Sequence, residues 1–312
     1  MASEDLKRRR RRAGLVAVGG VAVIVVALAA GGDDGGPLAL AGKAKADKPK
    51  LVQLPRGGRR IFPGHQVVAY YGAPQDADLG ALGIGSPAHA GRRLLGQAGA
   101  YEKTSKNAVW PAMELIAEVA QGHPGDDGLY RSRQTDAVIR RYLKAARAIK
   151  ALLILDIQPG QADFFPEAQY LEKWLREPDV SLALDPEWHT PGAVPGTVIG
   201  SVDVREVNAV SFWLEQLVHK YKLPQKLLVV HRFTDHGIQG IEQLKPRRDV
   251  AVTVNVDGFG PNVVKIAKYH EYALHVPGLY NGFKLFYHED PQTMKASRVL
   301  RIRPRPDLVV YE

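Results

Sequence analysis

The chain has 312 residues, 45% of them hydrophobic and 24% charged, with no cysteine. This is the composition of an ordinary globular protein with length for one large domain, and it excludes a disulfide framework, lipidation at a cysteine and thiolate metal sites. The net charge of +9 invites a nucleic-acid reading, yet thirteen Lys and Arg against five Asp and Glu in residues 1–65 hold +8 of it. A body that is nearly neutral offers a phosphate backbone no electrostatic footprint, so nucleic acid is not an expected partner.

Residues 1–12 form a basic segment dominated by Lys7 and the run from Arg8 to Arg12, and 18 uncharged residues, 13–30, follow directly. Arginines before an apolar stretch give the order of a secretory n-region and h-region, with the positive end retained in the cytoplasm. Eighteen residues reach the lower limit for crossing a hydrocarbon core of about 30 Å at about 1.5 Å per residue. A single-pass anchor carrying an extracytoplasmic domain is the preferred expectation. Cleavage near Ala29, in a small-x-small context, is the alternative and gives a secreted protein. Residues 31–60 are rich in Gly, Ala, Lys and Pro without apolar periodicity, the pattern of a flexible linker.

From there to residue 312 β-like runs alternate with amphipathic stretches. The β-like runs are 66–71, 112–120, 151–158, 180–187, 226–233, 250–257, 282–287 and 308–311, with helical patterns at 134–150, 166–176, 204–221 and 262–272. Eight strands alternating with helices predict an α/β protein with a (β/α)8 barrel over 61–312. A doubly wound sheet is the alternative, but no G-x-G-x-x-G follows a strand. Strand parity supports the barrel. Val180, Leu182 and Leu184 are expected to face helices, and Ser181, Ala183, Asp185 and Glu187 the interior. The same parity turns Leu152, Ile154, Asp156 and Gln158 inward, as it does Thr253, Asn255 and Asp257. Polar residues thereby collect at C-terminal strand ends, where barrel enzymes keep their chemistry.

The sharpest motif is Asp185-Pro186-Glu187-Trp188. Two carboxylates at i, i+2 of one strand share a face roughly 6–7 Å apart at Cα. Such proximity raises one pKa enough to hold a proton for a leaving group, which is what general-acid cleavage of a glycosidic bond requires. Trp188 offers an apolar platform for a sugar face. Asp156, His231, Asp257 and Lys284 each end an apolar run and are placed around the pair, with Glu114 or Glu118 from the second strand entering the same network and Tyr71 beside it. The bland reading of each is a satisfied structural residue.

The Val-Val-Ala-Tyr-Tyr-Gly run of the first strand and the Asp185-x-Glu187-Trp188 run of the fourth resemble barrel glycosidases of the chitinase and lysozyme type, glycoside hydrolase families 18 and 25. The resemblance implies Glu187 as general acid and Asp185 as its partner, with Asp156 or Asp257 as base or nucleophile. It departs from the chitinase signature where Val180, Ser181 and Ala183 replace upstream aspartates. In style the chain is also similar to exported proteins of high-GC Gram-positive bacteria, which implies a cell-envelope setting and a polysaccharide or glycan ligand. The rival is a carbohydrate-binding or scaffold barrel that has lost the chemistry. A divalent-metal hydrolase ranks third: His189, His231 and His236 have no standard ligand spacing. No cofactor and no metal are expected.

Overall fold

The computed structural model describes residues 51–312. The expected basic segment 1–12, the apolar segment 13–30 and most of the linker 31–60 lie outside the described residues. Among the described residues, no helix is long and apolar enough to cross a membrane.

Eight parallel strands close into a barrel. They are β1 (His65–Gly72), β2 (Ala108–Ala120), β3 (Leu152–Ile157), β4 (Val180–Leu184), β5 (Lys226–Arg232), β6 (Val250–Val256), β7 (Tyr280–Leu285) and β8 (Leu308–Tyr311). Each pairs with its neighbours in sequence, and β1 pairs with both β2 and β8, which removes the sheet edges. Outside lie α1 (Pro87–Glu102), α2 (Asp136–Ala148), α3 (Phe164–Tyr170), α4 (Glu172–Leu175), α5 (Val204–Tyr221), α6 (Asn262–Tyr272) and α7 (Ala296–Val299).

The longest of these, α5, shows why the sequence folds as it does. Asp203 caps its start by accepting from Arg205 N at 2.8 Å, and Lys222 in the left-handed region ends it. Val204, Val207, Val210, Leu214, Leu217 and Val218 make the buried stripe between, at helical spacing.

The alternation expected from the sequence holds. Val180, Leu182 and Leu184 pack into the large apolar layer between strands and helices. Val67, Ala69, Ala112, Leu152, Ile154, Ala183, Leu227, Val229, Ala251, Leu308 and Val310 fill the barrel itself. Its lower end is sealed by residues that the sequence assigns to the linker and the domain start. Leu54, Ile61 and Phe62 are buried in that interior layer, and Gln225 Oε1 accepts from the backbone N–H of Ile61 at 2.6 Å and of Phe62 at 2.9 Å. The compact unit begins at Pro49.

Four local features differ from the sequence reading. A helix, α1, occupies the first crossover. After β5 the chain runs through two short 3-10 turns, Asp235–Gly237 and Ile241–Gln243, in place of an α-helix. The fourth strand stops at Leu184, because Pro186 has no N–H to continue a ladder, and Pro186–Trp188 form a 3-10 turn. In β2 the register slips between Ile116 and Glu118, a β-bulge at Ala117 that reverses the facing of everything beyond it.

Candidate active site

Apolar filling gives way to charge toward the C-terminal ends of the strands. Tyr71, Glu114, Asp156, Asp185, His231, Asn255 and Lys284 are all buried. Each lies two positions after an inward-facing residue of its strand: Ala69, Ala112, Ile154, Ala183, Val229, Thr253 and Gly282. Space for Asn255 comes from Gly282, where any Cβ would collide with its side chain.

These groups form two tiers. The lower one is a closed network. His231 lies with Nε2 3.1 Å from Glu114 Oε1 and Nδ1 3.2 Å from Asp257 Oδ2. Tyr71 Oη donates toward Asp156 Oδ2 at 3.0 Å and Asp185 Oδ2 at 3.3 Å, and accepts from Gln158 Nε2 at 2.9 Å. Lys284 Nζ stands 4.0 Å above the Tyr71 ring and bonds Asp257 Oδ2 at 2.9 Å and Glu312 Oε2 at 2.6 Å. Asp257 Oδ1 accepts from Gly258 N at 2.7 Å, so both its oxygens are engaged.

Above this floor opens a cleft of about 250 Å³. Tyr71, Asp185, Asp257, Lys284 and Glu312 reach it from below, and Glu187 and Trp188 form part of its wall. Phe233, Phe259 and Phe286 supply an aromatic row, with successive ring centres 6.2 and 5.9 Å apart. Asp156, Glu114 and His231 do not line the cleft. Asp185 and Glu187 do not share a strand face, since the strand ends at Leu184 and Glu187 sits in the 3-10 turn Pro186–Trp188. Glu187 is half-buried, and among the described residues its carboxylate makes no hydrogen bond or ion pair within reach.

The carboxyls are driven in opposite directions. Burial, reinforced by the charge of Asp257, pushes Glu187 up to about 7. Burial also raises Asp156 to about 7, with Glu114 adding to it against His231 and Lys284. Asp185 is raised for the same reason, with Asp156 and Glu187 adding their repulsion against His231. Asp257 moves the other way: burial opposes its charge, but Lys284 and His231 overcome it and hold it well below the usual carboxylate range. Burial likewise opposes the charge of His231 and of Lys284, and the surrounding carboxylates outweigh it and raise both.

Tyr71, Glu114, Asp156, Asp185, Glu187, Trp188, His231, Asp257 and Lys284 are thus all at the upper end of the barrel, and Glu118, the alternative to Glu114, is not. The bulge sends Glu118 outside the barrel, where it meets Arg131 at 3.8 Å and Arg133 at 3.6 Å beside Glu167. Tyr70 also faces outward and bonds Tyr287 Oη at 3.1 Å, so Tyr71 alone enters the network. Sequence reasoning missed Glu312, Phe259, Phe286 and Glu289 among the cleft residues. Strand parity carried the signal for two of them. Phe286 follows Lys284 by two, and Glu312 follows Val310 by two. The long loops 123–131 and 189–201 contribute none of its lining, which comes from residues close to the strand ends. Compared with known proteins, the chain matches no family model and no curated sequence.

Proposed function

We propose that this barrel is a glycoside-hydrolase-like protein acting on a cell-envelope or extracellular polysaccharide, held at the membrane by residues 13–30 with the barrel on the outer side. The observation that carries the reading is one cleft with two carboxyls in opposite settings: Glu187 is half-buried with no bonded partner among the described residues, which raises it to about 7, while Asp257 is bonded by Lys284, His231 and Gly258 N, which holds it well below the usual carboxylate range. A protonated carboxyl at the rim is a proton donor for a leaving sugar oxygen. An ionised carboxylate facing the same space stabilises the positive charge that grows at the anomeric carbon, and acts as base or nucleophile. Asp257 is preferred to Asp156 for that role because Asp257 borders the cleft, whereas Asp156 is buried behind Tyr71 and pushed toward its neutral form. Trp188 and the phenylalanine row provide flat apolar faces on which sugar rings stack.

Release of reducing ends from isolated envelope glycans tests the assignment. Glu187→Gln keeps the shape of the protonated acid but cannot give up the proton, so turnover is expected to fall by about 10²–10⁴ with the fold intact. Equal release by both proteins rejects Glu187 as the acid. The rate of the wild type is expected to fall as pH rises through about 7, because the acid must be protonated, and Glu187→Gln is expected to lose that limb.

One observation favours the second reading, a glycan-binding barrel without turnover. Asp257 already satisfies both oxygens with Lys284, His231 and Gly258, which ties up the partner carboxylate. Retention of glycan by wild type and Glu187→Gln alike, with no reducing ends formed, selects that reading.

A further inference from the structure

Just outside the cleft, His189 follows Glu187 by two residues and is buried, with 9% of its surface exposed. Its Nδ1 lies 2.6 Å from the backbone oxygen of Ser201. A carbonyl only accepts, so Nδ1 carries the proton and the lone pair is on Nε2. That nitrogen is buried and has no hydrogen-bond partner among the described residues. Its ring is held by Phe164, 5.3 Å away between centres, and its backbone by the bridge to Gly160.

An acceptor buried without a donor is costly and calls for an electron-pair acceptor. Two carboxylates are at hand: a ring nitrogen of His189 and oxygens of Asp163 and Glu206 all lie within 4.8 Å of one another. Asp163 precedes α3, is exposed and makes no capping bond to that helix. Glu206, in the first turn of α5, accepts from Phe165 N through one oxygen at 3.0 Å. The other two groupings of this kind differ. His231 has both nitrogens engaged, and His219 Nε2 is already 2.9 Å from Asp249.

We propose that His189 Nε2, Asp163 and Glu206 bind a divalent transition-metal ion, Zn²⁺ in the first instance. One imidazole and two carboxylates suit Zn²⁺ in ligand type and charge. Tetrahedral coordination with bonds of about 2.0–2.2 Å brings donor atoms to about 3.3–3.6 Å apart, a closure within the rotamer freedom of the exposed Asp163 and the half-buried Glu206. The Nδ1–H to carbonyl bond is the outer-sphere partner that fixes a metal-binding histidine in the required tautomer. The ion ties the turn carrying Glu187 and Trp188 to the starts of α3 and α5. The spacing rules applied to the sequence do not reveal this set, because Asp163 follows β3 whereas His189 and Glu206 lie far apart within the crossover from β4 to β5.

The test is calorimetric titration of Zn²⁺ into the full chain, purified in detergent and stripped with chelator, alongside melting curves with and without the ion. Binding of one equivalent with a rise in melting temperature is expected, lost in His189→Ala and strongly weakened in Asp163→Asn. Asp163→Asn keeps the test open should His189→Ala fail to fold, since Asp163 is exposed and caps nothing. Absence of binding by the wild type overturns the proposal, as does binding that survives Asp163→Asn unchanged, which places the ion elsewhere.

Discussion

Lys284 and His231 are two cations among six acidic side chains, Glu114, Asp156, Asp185, Glu187, Asp257 and Glu312. The surplus negative charge cannot all be expressed in a buried space, so protons are retained on the acids farthest from the cations or least solvated. Asp156 shows the consequence for stability. Its carboxyl is raised to about 7 in the folded chain against an ordinary value of 3.8. A raised folded value means stability that is complete below the ordinary value and lost as pH rises through about 7. Asp156→Asn removes the ionisation while keeping an acceptor for Tyr71 Oη. Thermal or urea melts are expected to show little change at acidic pH and a gain of roughly 1–3 kcal/mol above pH 8, the scale of one relieved buried polar group. Parallel loss of stability with pH in both proteins would show that another group carries the titration.

At the scale of elements, the bulge in β2 is the feature with the most consequence. By turning Glu118 out of the barrel it builds a second buried charge cluster against α3, in which Arg131 bonds Glu167 at 2.9 Å and both side chains are nearly inaccessible. Removing Arg131 leaves Glu118 and Glu167 to Arg133, 3.6 and 2.6 Å away, so Arg131→Ala is expected to cost about 1.5–3 kcal/mol in urea denaturation, the scale of lost hydrogen bonds to a charged group. A loss below 1 kcal/mol would mean that water already reaches the cluster. The same element shows what a sequence can and cannot convey. Period-two alternation placed Asp156, Asp185 and Asp257 on the inner face, because parity is a local property of a strand and a barrel interior punishes any slip, and the ends of apolar runs marked His231 and Lys284. Glu114 and Glu118 have identical parity by counting, and only the extra residue in the ladder separates them. Pro186 was readable as a strand breaker, yet where Glu187 ends up depends on how the following turn packs. The grouping of Asp163, His189 and Glu206 is a property of the tertiary fold alone.

For the molecule as a whole, composition already divided the chain into a basic beginning and a nearly neutral body, and the compact unit begins at Pro49. A chain of residues 49–312 is therefore expected to melt at the same temperature as the full protein, because Leu54, Ile61 and Phe62 are retained to seal the barrel floor. If residues 13–30 anchor the protein, the full chain sediments with membranes on expression and the shortened one does not. Recovery of full-length product in the soluble fraction, or of a chain shortened near Ala29, would count against the anchor. The charge layout of the barrel makes its most specific demand at the mouth, where the field of the buried network reaches one unpaired carboxyl. Carbon-detected NMR titration of the Glu187 carboxyl reads that demand without knowledge of the substrate, using Glu187→Gln to assign the signal. The predicted result is a midpoint near 7 that falls in Asp257→Asn, where the repelling charge is gone. A midpoint in the ordinary carboxylate range, unmoved by Asp257→Asn, would contradict Glu187 as the proton donor.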